Sequence, residues 1–151
     1  MEPLSPFMQT QIPRLLKRFC LVCHAEDCCM HYALKRREDG EEISKELTLS
    51  LNAFSHEIHV SKFYPELYRE TRCRYLSAAC LFLMTQHFGH YYGLDESWGL
   101  YLDAEPSVFE EFYAKLQDFD FHTEQSVKVG TLAVRGHYVP FEIETETVQL
   151  V

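Results

Sequence analysis

The sequence predicts an α+β protein, in which a mostly antiparallel sheet packs on one long central helix and on shorter helices. Residues 46 to 54 alternate apolar with polar side chains, which is typical of a strand with one buried face. Residues 75 to 84 are apolar on nearly every side of a helix, and such a helix needs cover all round. Short strand patterns precede and follow this helix, an order that favours an α+β fold.

Chain length and composition predict one folded domain. A chain of 151 residues fits a single folded unit, and a hydrophobic fraction of 46% is ample for a core. No shift in composition divides the chain. We therefore expect one α+β domain over residues 1 to 151, with residues 1 to 6, which include two prolines, as a loose N-terminal arm.

The first half of the chain predicts a short helix followed by three or four strands. The helix is expected over residues 7 to 18, where Pro13 limits its starting point. The strands are expected at residues 19 to 25, 28 to 37, 46 to 54 and, as a continuation or partner of the last, 57 to 63. Asp39 and Gly40 form a hairpin turn signal between the second and third strands.

The second half predicts the long central helix and a β-rich tail. The helix is expected over residues 65 to 92, and a strand with alternating apolar residues follows at 98 to 104. Ser107 and Glu110 have the spacing of a capping box, which predicts the start of a final helix. Residues 125 to 150 alternate again and predict further strands.

Charge and hydropathy restrict the partners and the compartment. A net charge of −9 argues against nucleic acid, because duplex-binding proteins normally present a basic face. The most apolar run, residues 75 to 84, is too short to cross a bilayer as a helix. The N-terminal segment lacks the charged and apolar regions of a secretory signal. We therefore expect a cytoplasmic protein without membrane contact, whose six cysteines stay reduced.

Four of the six cysteines lie between residues 19 and 32, together with two histidines. Thiolates and imidazoles are the ligands that zinc prefers, so this cluster is a candidate metal set. The set comprises Cys20, Cys23, His24 and Cys28, with Cys29 and His31 as alternative members. Side chains alternate along a strand, however, so Cys20 and Cys23 are expected on opposite faces. The competing interpretation treats these cysteines as small buried hydrophobes.

Two further groups of residues are candidate metal ligands. His87 and His90 lie three residues apart near the end of the predicted long helix, on adjoining helix faces. His122, Glu124 and His137 supply two imidazoles and one carboxylate, the facial ligand set of non-haem iron oxygenases. Either group predicts binding of iron or zinc. The alternative interpretation is that these histidines lie at helix ends or on the surface.

No nucleophile elbow and no phosphate-binding glycine loop occurs, so an enzyme hypothesis rests on the histidines alone. Aromatic side chains are dense around the end of the predicted long helix, where they form either core or a partner-binding surface. The candidate partner-binding residues are Leu81, Phe82, Tyr91, Tyr92, Trp98 and Tyr101.

The order of four segments carries a family resemblance. The segments are PRLLKRFC, ELTLSLNAF, YLSAACLFLMTQHFGHYYGLD and SVFEEFYAKLQDF. Over residues 7 to 118 the chain resembles a class I type III secretion chaperone. The resemblance implies a small acidic cytoplasmic homodimer that holds an unfolded segment of a protein partner. The chain departs from the family by having one strand, at 98 to 104, where the family has two, and by its β tail.

The leading hypothesis is therefore a non-enzymatic partner-binding protein without a cofactor. In this hypothesis the apolar helix around residues 75 to 84 contributes to a homodimer interface. The alternative hypothesis is a protein that binds divalent iron or zinc, either a non-haem iron enzyme or a metal-responsive regulator. A purely structural or assembly role is a third hypothesis.

Overall fold

The computed structural model describes residues 5–43, 47–61, 75–94, 98–102, 128–131 and 144–145. Two helices and seven strands lie within these residues, which confirms the α+β class. In chain order they are α1 (Pro6–Arg18), β1 (Phe19–Glu26), β2 (Cys29–Arg36), β3 (Leu47–Asn52), β4 (Glu57–Ser61), α2 (Leu76–Tyr91), β5 (Gly99–Leu102), β6 (Lys128–Thr131) and β7 (Glu144–Thr145).

The seven strands form one mixed sheet with the order β6-β5-β4-β3-β2-β1-β7. Four of the six pairings between these strands are antiparallel, and the β4–β5 and β1–β7 pairings are parallel. A parallel pairing requires a long connection between its strands. The connection from β4 to β5 contains α2. This long crossover allows β4 and β5 to run parallel.

Helix α1 begins earlier than expected, because two local features favour a start at Pro6. The hydroxyl of Ser5 accepts a hydrogen bond from the Met8 amide at 3.2 Å, and Pro6 occupies the first helical turn. The last two residues of the predicted arm therefore belong to the helix and its cap. Pro13 lies inside the helix on its exposed side, opposite the buried stripe. The stripe consists of Met8, Ile12 and Leu15.

Helix α2 is covered on all sides, as its apolar sequence predicts. Every residue from Leu76 to Gln86 is buried in the single chain. Leu81 and Phe82 each have 0% exposure, so they belong to the core and offer no surface to a partner. This corrects their interpretation as partner-binding residues. The sequence predicted a helix from residue 65, and residues 62–74 lie outside the described part of the chain.

The core lies between one face of the sheet and both helices. Alternation places every second strand residue on this face, and the register aligns them: Leu21 pairs with Leu34, and Leu49 pairs with Val60. Other strand residues in the same core are Phe19, Cys23, Met30, Tyr32, Leu47, Ile58 and Leu100. The opposite face of the central strands carries His24, His31 and Thr48 beside buried small residues such as Val22 and Ala33.

Several predicted elements lie outside the described ranges. These are the first part of the long helix, the capping box at Ser107 and Glu110 with its helix, and the alternating segment at 139 to 143. Neither α1 nor α2 combines the length with the apolar character that a helix needs to cross a membrane, and this statement covers only the residues the structure describes.

Candidate metal centre

The β1–β2 hairpin brings four metal-ligating side chains to one face of the sheet. Asp27 and Cys28 form the turn, so residues at equal distance from it pair across the strands. His24 pairs with His31, and Glu26 pairs with Cys29. Directly paired residues share a face, and so do residues two apart on one strand. The two pairs are therefore neighbours on the face opposite the core.

Three of these side chains have converging donor atoms. The ligand atoms of His24, Glu26 and His31 all lie within 4.8 Å of one another. The His31 Nε2 atom lies 3.3 Å from the Glu26 Oε2 atom. The rings of His24 and His31 are stacked, with centroids 4.6 Å apart. The group therefore presents two imidazoles and one carboxylate to one small volume, which is a ligand set suited to zinc or divalent iron.

A neighbouring strand holds the His31 ring in place. The Thr48 hydroxyl of β3 lies 2.8 Å from His31 Nδ1, and Thr48 is the β3 residue that pairs with His31. When Nδ1 donates its hydrogen to this hydroxyl, the lone pair of the neutral ring is on Nε2. Metal-binding histidines commonly have such a partner on the second nitrogen, since it fixes both tautomer and orientation. Thr48 thereby directs Nε2 toward Glu26.

The fourth side chain, Cys29, lies beside the same atoms. Its sulfur is 3.8 Å from His31 Nε2 and 4.0 Å from Glu26 Oε2. Burial and the nearby carboxylates of Glu26 and Asp27 raise the pKa of the Cys29 thiol, because each disfavours the thiolate. A bound cation has the opposite effect on a thiol that coordinates it.

A cavity of about 80 Å³ borders the two histidines on the side away from the turn. It is wide enough for water molecules, which are ordinary ligands at an open coordination position. Its lining residues are Val22, Cys23, His24, His31, Ala33, Lys35 and Glu42.

The structure does not bring together the cysteine set that the sequence suggested. Cys20 and Cys23 are both buried in β1, and alternation places them on opposite faces, as predicted. Cys23 belongs to the core, whereas Cys28 is exposed in the hairpin turn. Of the four predicted ligands only His24 belongs to the cluster described above, which also contains the two alternative members, Cys29 and His31. The five described cysteines are thiols.

The predicted pair on α2, His87 and His90, consists of one half-buried and one exposed histidine. His87 is half-buried, and its Nδ1 lies 2.8 Å from the hydroxyl of the buried Tyr32. Burial, with a smaller contribution from His90, lowers the pKa of His87. His90 is exposed. The pair supplies two imidazoles, and the Tyr32 hydroxyl already contacts one nitrogen of His87. His122, Glu124 and His137 lie outside the described residues.

The predicted aromatic patch has one strongly exposed member, Tyr91, with 57% exposure. Tyr92, Trp98 and Tyr101 are half-buried. The Tyr92 hydroxyl lies 3.1 Å from the Cys29 carbonyl oxygen and 3.3 Å from those of Glu26 and Asp27. Its single hydrogen can be donated to any of the three. Tyr92 therefore joins the end of α2 to the hairpin turn that carries the cluster.

Glu26 was not among the predicted ligands, and Cys29 and His31 were predicted only as alternative members of the set that contains His24. The signal was present in the segment HAEDCCMH, which is mirror-symmetric in ligand positions about Asp27 and Cys28. Pairing the two predicted strands across that turn would have placed the four side chains on one face. No local sequence pattern predicts that Thr48 contacts His31, because this contact depends on how β3 pairs with β2.

Comparison of this chain with protein-family models, with curated proteins and with solved structures finds no significant match.

Proposed function

We propose that this protein binds a divalent transition-metal ion on the β1–β2 hairpin, through His24, Glu26 and His31. The observation that carries the proposal is the convergence of their ligand atoms within 4.8 Å. Imidazole nitrogen and carboxylate oxygen are common ligands of zinc and iron. The proposal keeps His24 and the alternative member His31 from the cysteine–histidine set that the sequence suggested, and adds Glu26.

Three properties of the chain support the proposal. The hairpin is a paired region in the sheet, so the backbone that carries the ligands is already ordered before an ion binds, and little entropy is lost on binding. The hydrogen bond between Thr48 and His31 orients one ligand ring. The chain also has a net charge of −9, which favours the approach of cations.

The test is zinc binding measured by calorimetry on chelator-treated, reduced protein. We expect wild type to bind one ion, and Glu26→Gln and His31→Ala to bind far more weakly. Loss of the hydrogen bond that orients a ligand lowers metal affinity by roughly 10- to 100-fold. Loss of the ligand itself should lower the affinity further. Glu26 has a largely exposed side chain, so its isosteric change leaves the core intact.

The control is His90→Ala, which removes an exposed histidine from the predicted pair on α2 and leaves the hairpin unchanged. It should bind zinc as wild type does. If His90→Ala loses binding while Glu26→Gln and His31→Ala retain it, the site is not on the hairpin. Absence of binding by wild type at micromolar zinc would overturn the proposal.

As a second candidate, we propose a non-enzymatic, cytoplasmic protein-binding role of secretion-chaperone type, with the chain acting as a homodimer. In this proposal α2 is the single long central helix. The observation in its favour is exposed aromatic area: Phe54 in the β3–β4 turn is fully exposed, and Tyr91 is largely exposed. Exposed aromatic side chains supply contact area to partners such as an unfolded segment.

The second candidate is tested by light scattering coupled to size exclusion. We expect the mass of a dimer at micromolar concentration, and we expect Tyr91→Ser or Phe54→Ser to shift the equilibrium toward monomer if its aromatic surface is the interface. Leu81 and Phe82 are unsuitable for this test, since they are core residues. A strict monomer in wild type would contradict the homodimer.

A further inference from the structure

We propose that Cys29 is a fourth ligand of the metal ion, so that the hairpin forms a closed, tetrahedral zinc site rather than an open iron site. This inference rests on the proposed metal-binding function and specifies its metal class. It also distinguishes a metal-responsive regulator from a non-haem iron enzyme, since a site with four protein ligands has no position for a substrate.

The hairpin register places Cys29 on the same face of the sheet as the other proposed ligands. Cys29 is the direct cross-strand partner of Glu26 and lies two residues before His31 on β2. All four side chains therefore leave the sheet on one face, two from each strand. No rearrangement of the backbone is needed to bring the sulfur to the ion.

The spacing of His31 and Glu26 fits tetrahedral coordination, and the Cys29 sulfur lies slightly farther away. Zinc lies about 2.0–2.2 Å from nitrogen and oxygen ligands and about 2.3 Å from sulfur, so ligand atoms on a tetrahedral ion are roughly 3.3–3.6 Å apart. The distance from His31 Nε2 to Glu26 Oε2 is 3.3 Å, within that range. The sulfur lies 3.8 Å from Nε2 and 4.0 Å from Oε2. The ligand atoms of His24, Glu26 and His31 lie within 4.8 Å of one another, which is wider than this range, so binding of an ion requires side-chain rotations that draw the ligands together.

The ligand chemistry selects the metal. One thiolate with two imidazoles and a carboxylate is a soft to intermediate set, which suits zinc. Divalent iron in oxygenases instead uses two imidazoles and one carboxylate with the remaining positions open. With Cys29 bound, the ion joins the two strands beside the turn, and its role is structural or regulatory.

The neighbouring cysteine provides a matched control. Cys28 is the adjacent residue, but it belongs to the turn, is exposed and pairs with no strand residue of the hairpin. Cys28→Ser and Cys29→Ser therefore make the same chemical change one position apart. Only the second removes a sulfur that lies close to His31 and Glu26.

The experiment is titration of the reduced, chelator-treated protein with Co²⁺, a spectroscopic substitute for Zn²⁺, followed by competition with Zn²⁺. Wild type and Cys28→Ser should show the intense visible bands of tetrahedral cobalt and the ultraviolet sulfur-to-cobalt charge-transfer band. Cys29→Ser should lose the charge-transfer band and bind Zn²⁺ at least about 10-fold more weakly. Circular dichroism verifies that each variant is folded.

The outcomes separate this inference from the proposed function. Cobalt binding without a charge-transfer band in wild type would overturn the role of Cys29 and leave the metal site of His24, Glu26 and His31 standing. A charge-transfer band that is lost in Cys28→Ser but kept in Cys29→Ser would also overturn it. If wild type binds neither Co²⁺ nor Zn²⁺, the proposed function and this inference both fail.

Discussion

At the scale of single residues, the candidate site depends on the orientation of His31. Its ring has Thr48 on one nitrogen, and Glu26 and Cys29 near the other. An imidazole without a fixed partner samples several orientations and both tautomers, and this freedom is lost when it binds a metal. The Thr48 hydroxyl removes part of that freedom in advance.

Thr48→Val tests this role, because valine has nearly the same shape but cannot bond to Nδ1. We expect zinc affinity to fall by about 10- to 100-fold, measured by calorimetry, with all proposed ligands still present. Ser50→Ala is the control, since Ser50 lies two residues along β3 and pairs with Cys29. Equal affinities in wild type and Thr48→Val would show that the hydrogen bond does not orient a ligand.

At the scale of elements, the β1–β2 hairpin is held at both ends. At its open end the Arg37 amide donates to the Arg18 carbonyl oxygen at 2.9 Å. At the turn the Tyr92 hydroxyl donates to a carbonyl oxygen of the turn segment, which connects the hairpin to α2. The turn beside the candidate ligands is therefore anchored to the end of α2.

Tyr92→Phe tests the anchor, because it removes the hydroxyl and keeps the aromatic ring. A hydrogen bond of this kind contributes roughly 0.5–1.5 kcal/mol, so we expect the free energy of unfolding to fall by about 1 kcal/mol in urea denaturation. Tyr91→Phe is the matched control, because Tyr91 is the adjacent exposed tyrosine. An equal loss in both variants would contradict a specific anchor at Tyr92.

At the scale of the whole molecule, the sheet provides two chemically different faces. One face packs with α1 and α2 on a single apolar core, and this chain alone buries the helix that sequence analysis assigned to a dimer interface. The other face carries the imidazoles and the carboxylate. The proposed metal site therefore lies on the face away from α1 and α2, and the aromatic side chains of the second proposal, Phe54 and Tyr91, are exposed.

Much of this architecture was predictable because burial repeats with a local period. Alternation at Leu47 and Leu49 identified β3 and its buried face, and the apolar run at 75 to 84 identified a helix covered all round. The opposite orientations of Cys20 and Cys23 followed from the same two-residue period. The mirror arrangement of ligands around the β1–β2 turn was also encoded locally, although it requires the register of the hairpin.

The sequence by itself therefore determined the α+β class, the first four strands and the residue types available for binding a metal. Only the tertiary structure decided the contacts between residues that are distant in the chain. The parallel β4–β5 pair, the bond from Thr48 to His31 and the anchor from Tyr92 to the turn all join residues far apart in the chain. Such contacts depend on how elements pack in space, and local periodicity carries no information about that packing.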